Sequence, residues 1–175
     1  MQGSTARDEL FQRVYRHVYP IIFRVTLRIT GRDDLAEEVC QEAFMRYFDR
    51  MNRFADDDQA KYWLIRVAKN LALNVAKRSG REVRAYQRVF RESERESESG
   101  EDLLVRKESE REVQAALDAL PPKMKSVLVL KEYGQLNYKE IGSVLGISEG
   151  NVKVRVHRAR EQLQSLLEEE ADGAS

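Results

Sequence analysis

Leu10, Val14, Val18, Ile21, Ile22, Val25 and Ile29 fall three or four residues apart, the spacing that gathers side chains on one face of an α-helix. Pro20 interrupts the stripe and either kinks this helix or starts a second one, and Gly31 ends it. From Asp33 the pattern restarts. Leu35, Val39, Ala43, Tyr47 and Met51 share an apolar arc, widened by Ala36, Cys40, Phe44 and Phe48. A third helix is predicted over residues 59–78, with Leu64, Val67, Ala68, Leu71 and Val75 directed inward. Further on, Val113, Ala116, Leu117 and Leu120 predict a helix that stops before Pro121 and Pro122. Met124, Val127, Leu128 and Leu130 give the next. Each of these segments has helical periodicity, so the expected fold class is all-α.

Residues 137–161, NYKEIGSVLGISEGNVKVRVHRARE, carry the sharpest local signal. Asn137 and Ser148 stand where a side-chain oxygen can accept the orphan N–H groups of a helix start, and Gly146 stands where the first helix must stop. Helix, tight turn and second helix follow. Ile141, Leu145, Ile147, Val152, Val156 and Ala159 form one apolar seam, so the helices pack on each other as a helix-turn-helix. Steps of 100° per residue place Gly150, Val154, His157 and Arg158 opposite that seam, with Asn151, Lys153 and Arg155 on the flanks. A small turn with positive flanks suits a major groove between two phosphate walls. The competing reading is a helical hairpin whose charged face is only solvated. Cap, turn length, seam and basic face all agree against it.

Charge changes the picture by its distribution alone. Lys plus Arg and Asp plus Glu number 30 each among 175 residues, so net charge predicts no affinity for nucleic acid. Basic residues gather over 61–84 and 153–160, and carboxylates over 33–42, 56–58 and 168–172. Residues 81–109, REVRAYQRVFRESERESESGEDLLVRKES, are rich in Arg, Glu and Ser and lack sustained apolar periodicity. The expected organisation is therefore two small helical domains, 1–79 and 111–175, joined by a flexible charged linker over 80–110. Extended, some thirty residues reach on the order of 100 Å, so the two ends can engage separate sites.

Cys40 is the single cysteine, so no disulfide framework or cysteine-rich zinc site is expected, and a reducing cytoplasm is the natural setting. Cys40 reads as a small buried core residue. No uninterrupted apolar run approaches the roughly 20 residues of a membrane span, so no membrane insertion is expected. No Gly-rich phosphate loop or paired metal-ligand spacing occurs, and His17 and His157 are each isolated from a plausible nucleophile. The chain reads as a protein without enzymatic chemistry, and no cofactor is expected.

Two further faces carry candidate chemistry. Asp34, Glu38, Gln41, Glu42 and Asp49 share the polar side of the second helix with Met45, and an apolar side chain within an acidic face suits docking of a basic partner. On the third helix, Tyr62, Arg66, Lys69, Asn70, Leu73 and Lys77 form an outer stripe with Trp63 at its margin. That mixture suits a single strand: cations track phosphates, rings stack on unpaired bases, and an amide bonds a base edge. Trp63 also has a plain core reading, and a ring at the core margin can serve both ends.

DLAEEVCQEAFMRYF (34–48), YWLIRVAKNLALNVAKR (62–78) and LPPKMKSVLVLKEYGQLNYKEIGSVLGISEGNVKVRVHRAR (120–160), in this order, resemble a Group IV, extracytoplasmic-function sigma factor of bacterial RNA polymerase. The likeness runs from about Leu10 to Leu167. It implies that Asp34, Glu38, Gln41, Glu42 and Met45 contact the polymerase clamp. It places Phe54, Lys61, Tyr62, Trp63, Arg66, Lys69, Asn70 and Lys77 at the minus-ten element and its melted strand. Ser148, Glu149, Gly150, Asn151, Lys153, Val154, Arg155, His157 and Arg158 correspond to the reader of the minus-thirty-five element. The chain departs from the family pattern at Asp56, Asp57 and Asp58, which make the base-capturing loop unusually acidic, and at Cys40, where an aliphatic residue is usual.

The function this resemblance implies is a promoter-specificity subunit. Its partners would be core RNA polymerase, through clamp and flap, promoter DNA as duplex and as non-template single strand, and an anti-sigma factor. The rival class is a free-standing LuxR-like helix-turn-helix regulator, which would have no use for the basic aromatic stripe or the acidic docking face of the first domain.

Overall fold

The structure is a computed structural model that describes residues 2–89 and 101–174. Among these residues the helices run in the order α1 (Gln2–Thr30), α2 (Asp33–Arg50), α3 (Asp57–Val89), α4 (Glu101–Ala119), α5 (Pro122–Glu132), α6 (Tyr138–Leu145) and α7 (Glu149–Gly173). A short 3-10 turn, Met51–Arg53, follows α2. The all-α expectation holds.

α1 continues through Pro20 as one helix. Pro20 is exposed, so the Arg16 carbonyl, which loses its helical donor at the proline, is within reach of water. Gly31, at φ 70°, takes the left-handed conformation that ends α1, and its N–H donates to the Leu27 carbonyl at 2.7 Å. Val14, Val18, Ile22, Val25 and Ile29 of α1 are buried with Val39, Cys40, Ala43, Phe44 and Tyr47 of α2. Thr26 fits this apolar layer by donating its hydroxyl to the Phe23 carbonyl at 3.2 Å, and its oxygen lies 3.6 Å from the Cys40 sulfur. Burial pushes the Cys40 thiol up to about 11, which leaves it a packing residue without thiolate reactivity.

The buried face of α3 is rotated from the periodicity expected of it. Leu64, Ile65, Ala68 and Ala72 are fully buried, whereas Val67, Leu71 and Val75 are half-buried. The cause is that α3 is packed on more than one side, by α1 and α2 and also by α6, so a single apolar arc does not define its interior. The charged segment expected as a linker falls partly on residues 90–100, which lie outside the described ones. On its flanks α3 extends to Val89 and α4 starts at Glu101. Mixed charges at three- and four-residue spacing support such helical extensions without any core.

α5 is the central helix of the second half. Residues 125–130 are all buried, because α5 packs on α7, α1 and α6 at once and has no solvent face along that stretch. Lys125 is the cost of this placement. Its ammonium is satisfied by the Ile29 carbonyl at the end of α1 and by Asp118 of α4, both at 2.7 Å. Removing one partner of such a buried charge typically costs about 3–5 kcal/mol. The two halves of the chain therefore share one continuous core and a set of polar contacts across it.

Candidate nucleic-acid interface

α6 and α7 form the expected helix-turn-helix, fixed at each joint by local chemistry. Asn137 caps α6 by accepting from the Glu140 N–H at 2.8 Å, while the Glu140 carboxylate receives the Asn137 N–H, a complete capping box. Gly146 ends α6 at φ 69°, ψ 34°. Ser148 caps α7 by accepting from the Asn151 N–H at 3.2 Å. Ile141, Val152, Val156 and Ala159 are buried in the seam, and Leu145 and Ile147 are half-buried beside it.

The outer face of α7 follows the sequence reading closely. Ser148, Glu149, Gly150, Asn151, Lys153, Val154, His157 and Arg158 are exposed, and Arg155 is half-buried. Val154, 47% exposed, is a large apolar side chain presented on a charged face. Its methyl groups suit the C5-methyl of a thymine in the major groove. Several neighbours are engaged within the chain: Lys153 lies 3.7 Å from Glu149, and His157 lies 3.2 Å from Glu161. Arg160, midway along α7, ties it to Glu132 of α5 through its Nε at 3.0 Å, a bond that keeps its guanidinium protonated to still higher pH.

On α3 the expected stripe is only partly open. Asn70 and Lys77 are exposed, and Tyr62, Lys69 and Leu73 are half-buried. Desolvation, with the nearby Arg66 charge, lowers the Lys69 ammonium below its ordinary value. Burial and the Glu140 carboxylate raise the Tyr62 phenol. Lys61 and Arg66 face α6: Lys61 lies 3.5 Å from Glu140, and Arg66 donates to the Val144 and Ser143 carbonyls at 2.6 and 2.9 Å. Phe54 and Trp63 are half-buried, with ring centroids 5.3 Å apart, and Phe54 continues onto Tyr47 at 5.8 Å. Trp63 thus belongs to the rim of the core and to the loop surface together.

The acidic loop before α3 is largely structural. Asp56 accepts the Gln59 N–H at 2.8 Å and so caps α3, while Gln59 reaches back to the Ala55 N–H at 3.2 Å. Asp57 is held by Arg13 of α1 in a bidentate pair at 2.7 and 3.0 Å, which lowers its carboxyl below the ordinary range. Asp58 remains exposed. The spacing D-x-x-Q over 56–59 was the signal for this cap.

On α2, Asp34, Glu38, Gln41 and Met45 are exposed and Glu42 is half-buried. Asp34 is paired with Arg32 at 2.6 and 3.1 Å, which lowers its carboxyl, and Glu42 is paired with Arg46 at 2.8 Å. Met45 is 65% exposed. Phe48, placed by periodicity on the inner arc, is 41% exposed beside it, with the Arg7 guanidinium 4.5 Å above its ring. Phe48 therefore adds to the apolar part of this surface, and its position at the margin of the inner arc was the available hint.

Comparison with known proteins places these surfaces in a family. Residues 14–82 match Sigma-70 region 2, and residues 110–163 match Sigma-70, region 4. The chain is 34% identical over 133 residues to the ECF RNA polymerase sigma factor SigE of Mycolicibacterium smegmatis, covering 75% of this chain and 51% of that protein. It is 32% identical to the RNA polymerase sigma-H factor of Pseudomonas aeruginosa, covering 76% and 73%, and 32% identical to SigW of Bacillus subtilis, covering 75% of each. The chain thus spans about half the length of the first relative and about three quarters of the other two. Among solved structures, the sigma factor RpoE in complex with the anti-sigma factor NepR from Bartonella quintana superposes with a TM-score of 0.63 at 25% identity, over 90% of this chain and 96% of that one. CnrH in complex with the cytosolic domain of CnrY shares the fold, with a TM-score of 0.69 at 21% identity over 95% and 93%.

Proposed function

The chain belongs to the sigma-70 family as an extracytoplasmic-function RNA polymerase sigma factor, and from that premise we propose that it directs core polymerase to specific promoters and promotes their opening. Residues 1–79 would act as the core-binding and minus-ten-melting domain, 111–175 as the minus-thirty-five reader, and 80–110 as the connection. RNA synthesis itself belongs to the polymerase. No catalytic step is assigned to this chain.

The observation that carries this reading is the coexistence, in one chain, of a capped helix-turn-helix with an exposed basic face and a second helix bearing Tyr62, Arg66, Asn70 and Lys77. A duplex reader alone needs only the first. Cations and an amide beside aromatic rings serve unpaired bases, which exist only once a promoter is melted. The exposed Glu38, Gln41, Met45 and Phe48 supply a mixed acidic and apolar surface for the clamp. An anti-sigma factor is the further partner proposed, as in the complex of the RpoE relative with NepR. Among the described residues no helix is long and apolar enough to cross a membrane, and the proposed site of action is the cytoplasm, where polymerase and promoter are.

The test is reconstitution. Purified chain added to core polymerase should give initiation at a defined promoter, and neither component alone should. Tight, specific duplex binding without core, and no initiation with it, would favour the free-standing regulator instead.

A further inference from the structure

Arg13 directly precedes the region 2 match at 14–82, and its guanidinium forks onto the Asp57 carboxylate at 2.7 and 3.0 Å. Nearer the start of the same helix, Arg7 donates to the Phe48 carbonyl at 2.9 Å. Phe48 lies in the last turn of α2 and Asp57 is the first residue of α3, so α1 grips the chain on both sides of the α2–α3 connection. Residues 51–56 bridge those two points. Among them Phe54 lies between Tyr47, at 5.8 Å, and Trp63, at 5.3 Å, and the half-buried Phe54 and Trp63 rings reach the surface beside exposed Asn52, Arg53 and Ala55.

We propose that Arg13 is a positioning residue for single-strand capture: by holding Asp57 it fixes where α3 begins, and so fixes the Phe54 and Trp63 rings on which an unpaired base stacks. The proposal rests on the reading of α3 as the strand-binding helix. Folding does not need the pair. Leu64, Ile65 and Ala68 of α3 are already buried in one core with Val14 and Val18 of α1, and an ion pair as exposed as this one adds little stability. What the pair adds is direction, because a planar guanidinium bonded twice to one carboxylate admits a narrow range of angles. Asp56, next to the gripped residue, caps α3 through the Gln59 N–H at 2.8 Å, and Gln59 in turn holds the Ala55 N–H at 3.2 Å. Ala55 adjoins Phe54. A series of directional bonds therefore runs from α1 to the ring at the surface, and a loop that tilts loses base selectivity before it loses its fold.

The experiment uses the full chain assembled with core polymerase, on templates whose minus-ten region is already unpaired and carries each base in turn at each unpaired position. Wild type is compared with Arg13→Ala, Asp57→Asn and the double variant, and the quantity measured is the ratio of affinities for the best and the worst base. Thermal unfolding followed by circular dichroism checks that each variant is folded. Trp63 is the single tryptophan of the chain, so the emission of the free protein reports the surroundings of that ring.

Loss of either partner should lower the ratio by about two- to fivefold at the position the rings hold, the range that an exposed ion pair supplies, and should shift the Trp63 emission. The double variant should be no worse than either single one, because both changes remove the same bond. Charge acting directly on the DNA gives a different pattern. Arg13→Ala removes a positive charge and Asp57→Asn a negative one, so affinity would move in opposite directions while the ratio stayed the same. That pattern, additive losses in the double variant, or an unchanged ratio in both single variants overturns the positioning role and leaves the strand reading in place. A wild type with no base preference on the unpaired templates overturns the strand reading and the positioning role with it, so the two failures are distinguishable.

Discussion

A Cβ atom on Gly142 would lie 2.7 Å from the carbonyl oxygen of Ile147, so α6 and the start of α7 approach each other at a point where only hydrogen fits. The neighbour is backbone, held by the Gly146 turn and the Ser148 cap, and cannot rotate aside. Gly142→Ala should therefore destabilise the chain by about 1–3 kcal/mol, the usual range for overpacking. Gly150→Ala is the contrast. Nothing lies within 4 Å of that position, and alanine improves helix propensity by about 1 kcal/mol. Thermal unfolding followed by circular dichroism should show a lowered midpoint for the first variant and an unchanged or raised one for the second.

Arg13 and Asp57 tie the first helix to the start of α3, and both are largely exposed, at 63% and 46% of their side chains. The arginine lowers the Asp57 carboxyl, so the folded state binds its proton less readily than the unfolded chain. The contribution is complete above the unfolded value of about 3.9 and is lost as pH falls through the lower folded value. Solvent screening keeps it small. A double-mutant cycle with Arg13→Ala and Asp57→Asn should give a small favourable coupling at neutral pH that shrinks below about pH 4. A coupling that grew on acidification would contradict the assignment.

The helix-turn-helix was readable from sequence because its determinants are local. Asn137, Gly146 and Ser148 act within four residues of themselves, and the seam repeats over two short helices. The core of α3 was less readable for the opposite reason. Ile65 and Ala72 are buried by partners far along the chain, and no local period encodes a helix wedged between α1, α2 and α6. Lys125 gave no sign of burial either, since its acceptors are the Ile29 carbonyl and Asp118 on separate helices. Within the Asp56 to Asp58 run, one carboxylate caps α3 and another pairs with Arg13, partners that the run of charge alone did not reveal.

The docking face makes a prediction that separates charge from fold. Glu38 is exposed and Met45 is 65% exposed, so Glu38→Lys with Met45→Lys removes no core contact. A basic clamp surface would then meet two added positive charges, and like-charge contact of this kind is costly. Affinity for core polymerase in a competition assay should fall at least about tenfold, equivalent to roughly 1.4 kcal/mol, with an unchanged melting temperature. Retained affinity would assign the clamp contact elsewhere.

On α7, affinity and specificity should separate. Arg158 and Val154 lie on the outer face, whereas Lys153 is on its flank, 3.7 Å from Glu149. Lys153→Ala should weaken binding to all duplexes nearly alike and flatten the salt dependence by about one unit of slope. Arg158→Ala and Val154→Ser should instead change which bases are preferred, by about 1–3 kcal/mol at one position. Selection from a randomised minus-thirty-five library measures both. Parallel losses across the library for all three variants would refute the division.

Melting gives the last prediction, because it is the step a duplex reader cannot perform. Arg66, Asn70 and Lys77 are the exposed members of the α3 stripe, and of these Asn70 and Lys77 make no contact with α6 of the kind that engages Arg66. Their substitution should therefore spare the fold. A single-strand contact of this sort is worth about 1–3 kcal/mol, or roughly tenfold to a hundredfold in the opening equilibrium. Asn70→Ala with Lys77→Ala should lower open-complex formation on duplex promoters while leaving closed-complex formation largely intact. A template with a pre-melted bubble supplies the unpaired bases in advance, so the defect there should be much smaller. Permanganate reactivity of unpaired thymines reads the outcome on both templates. Equal impairment on the two would mean that this stripe acts in docking the polymerase or in folding, and that strand capture lies on another surface.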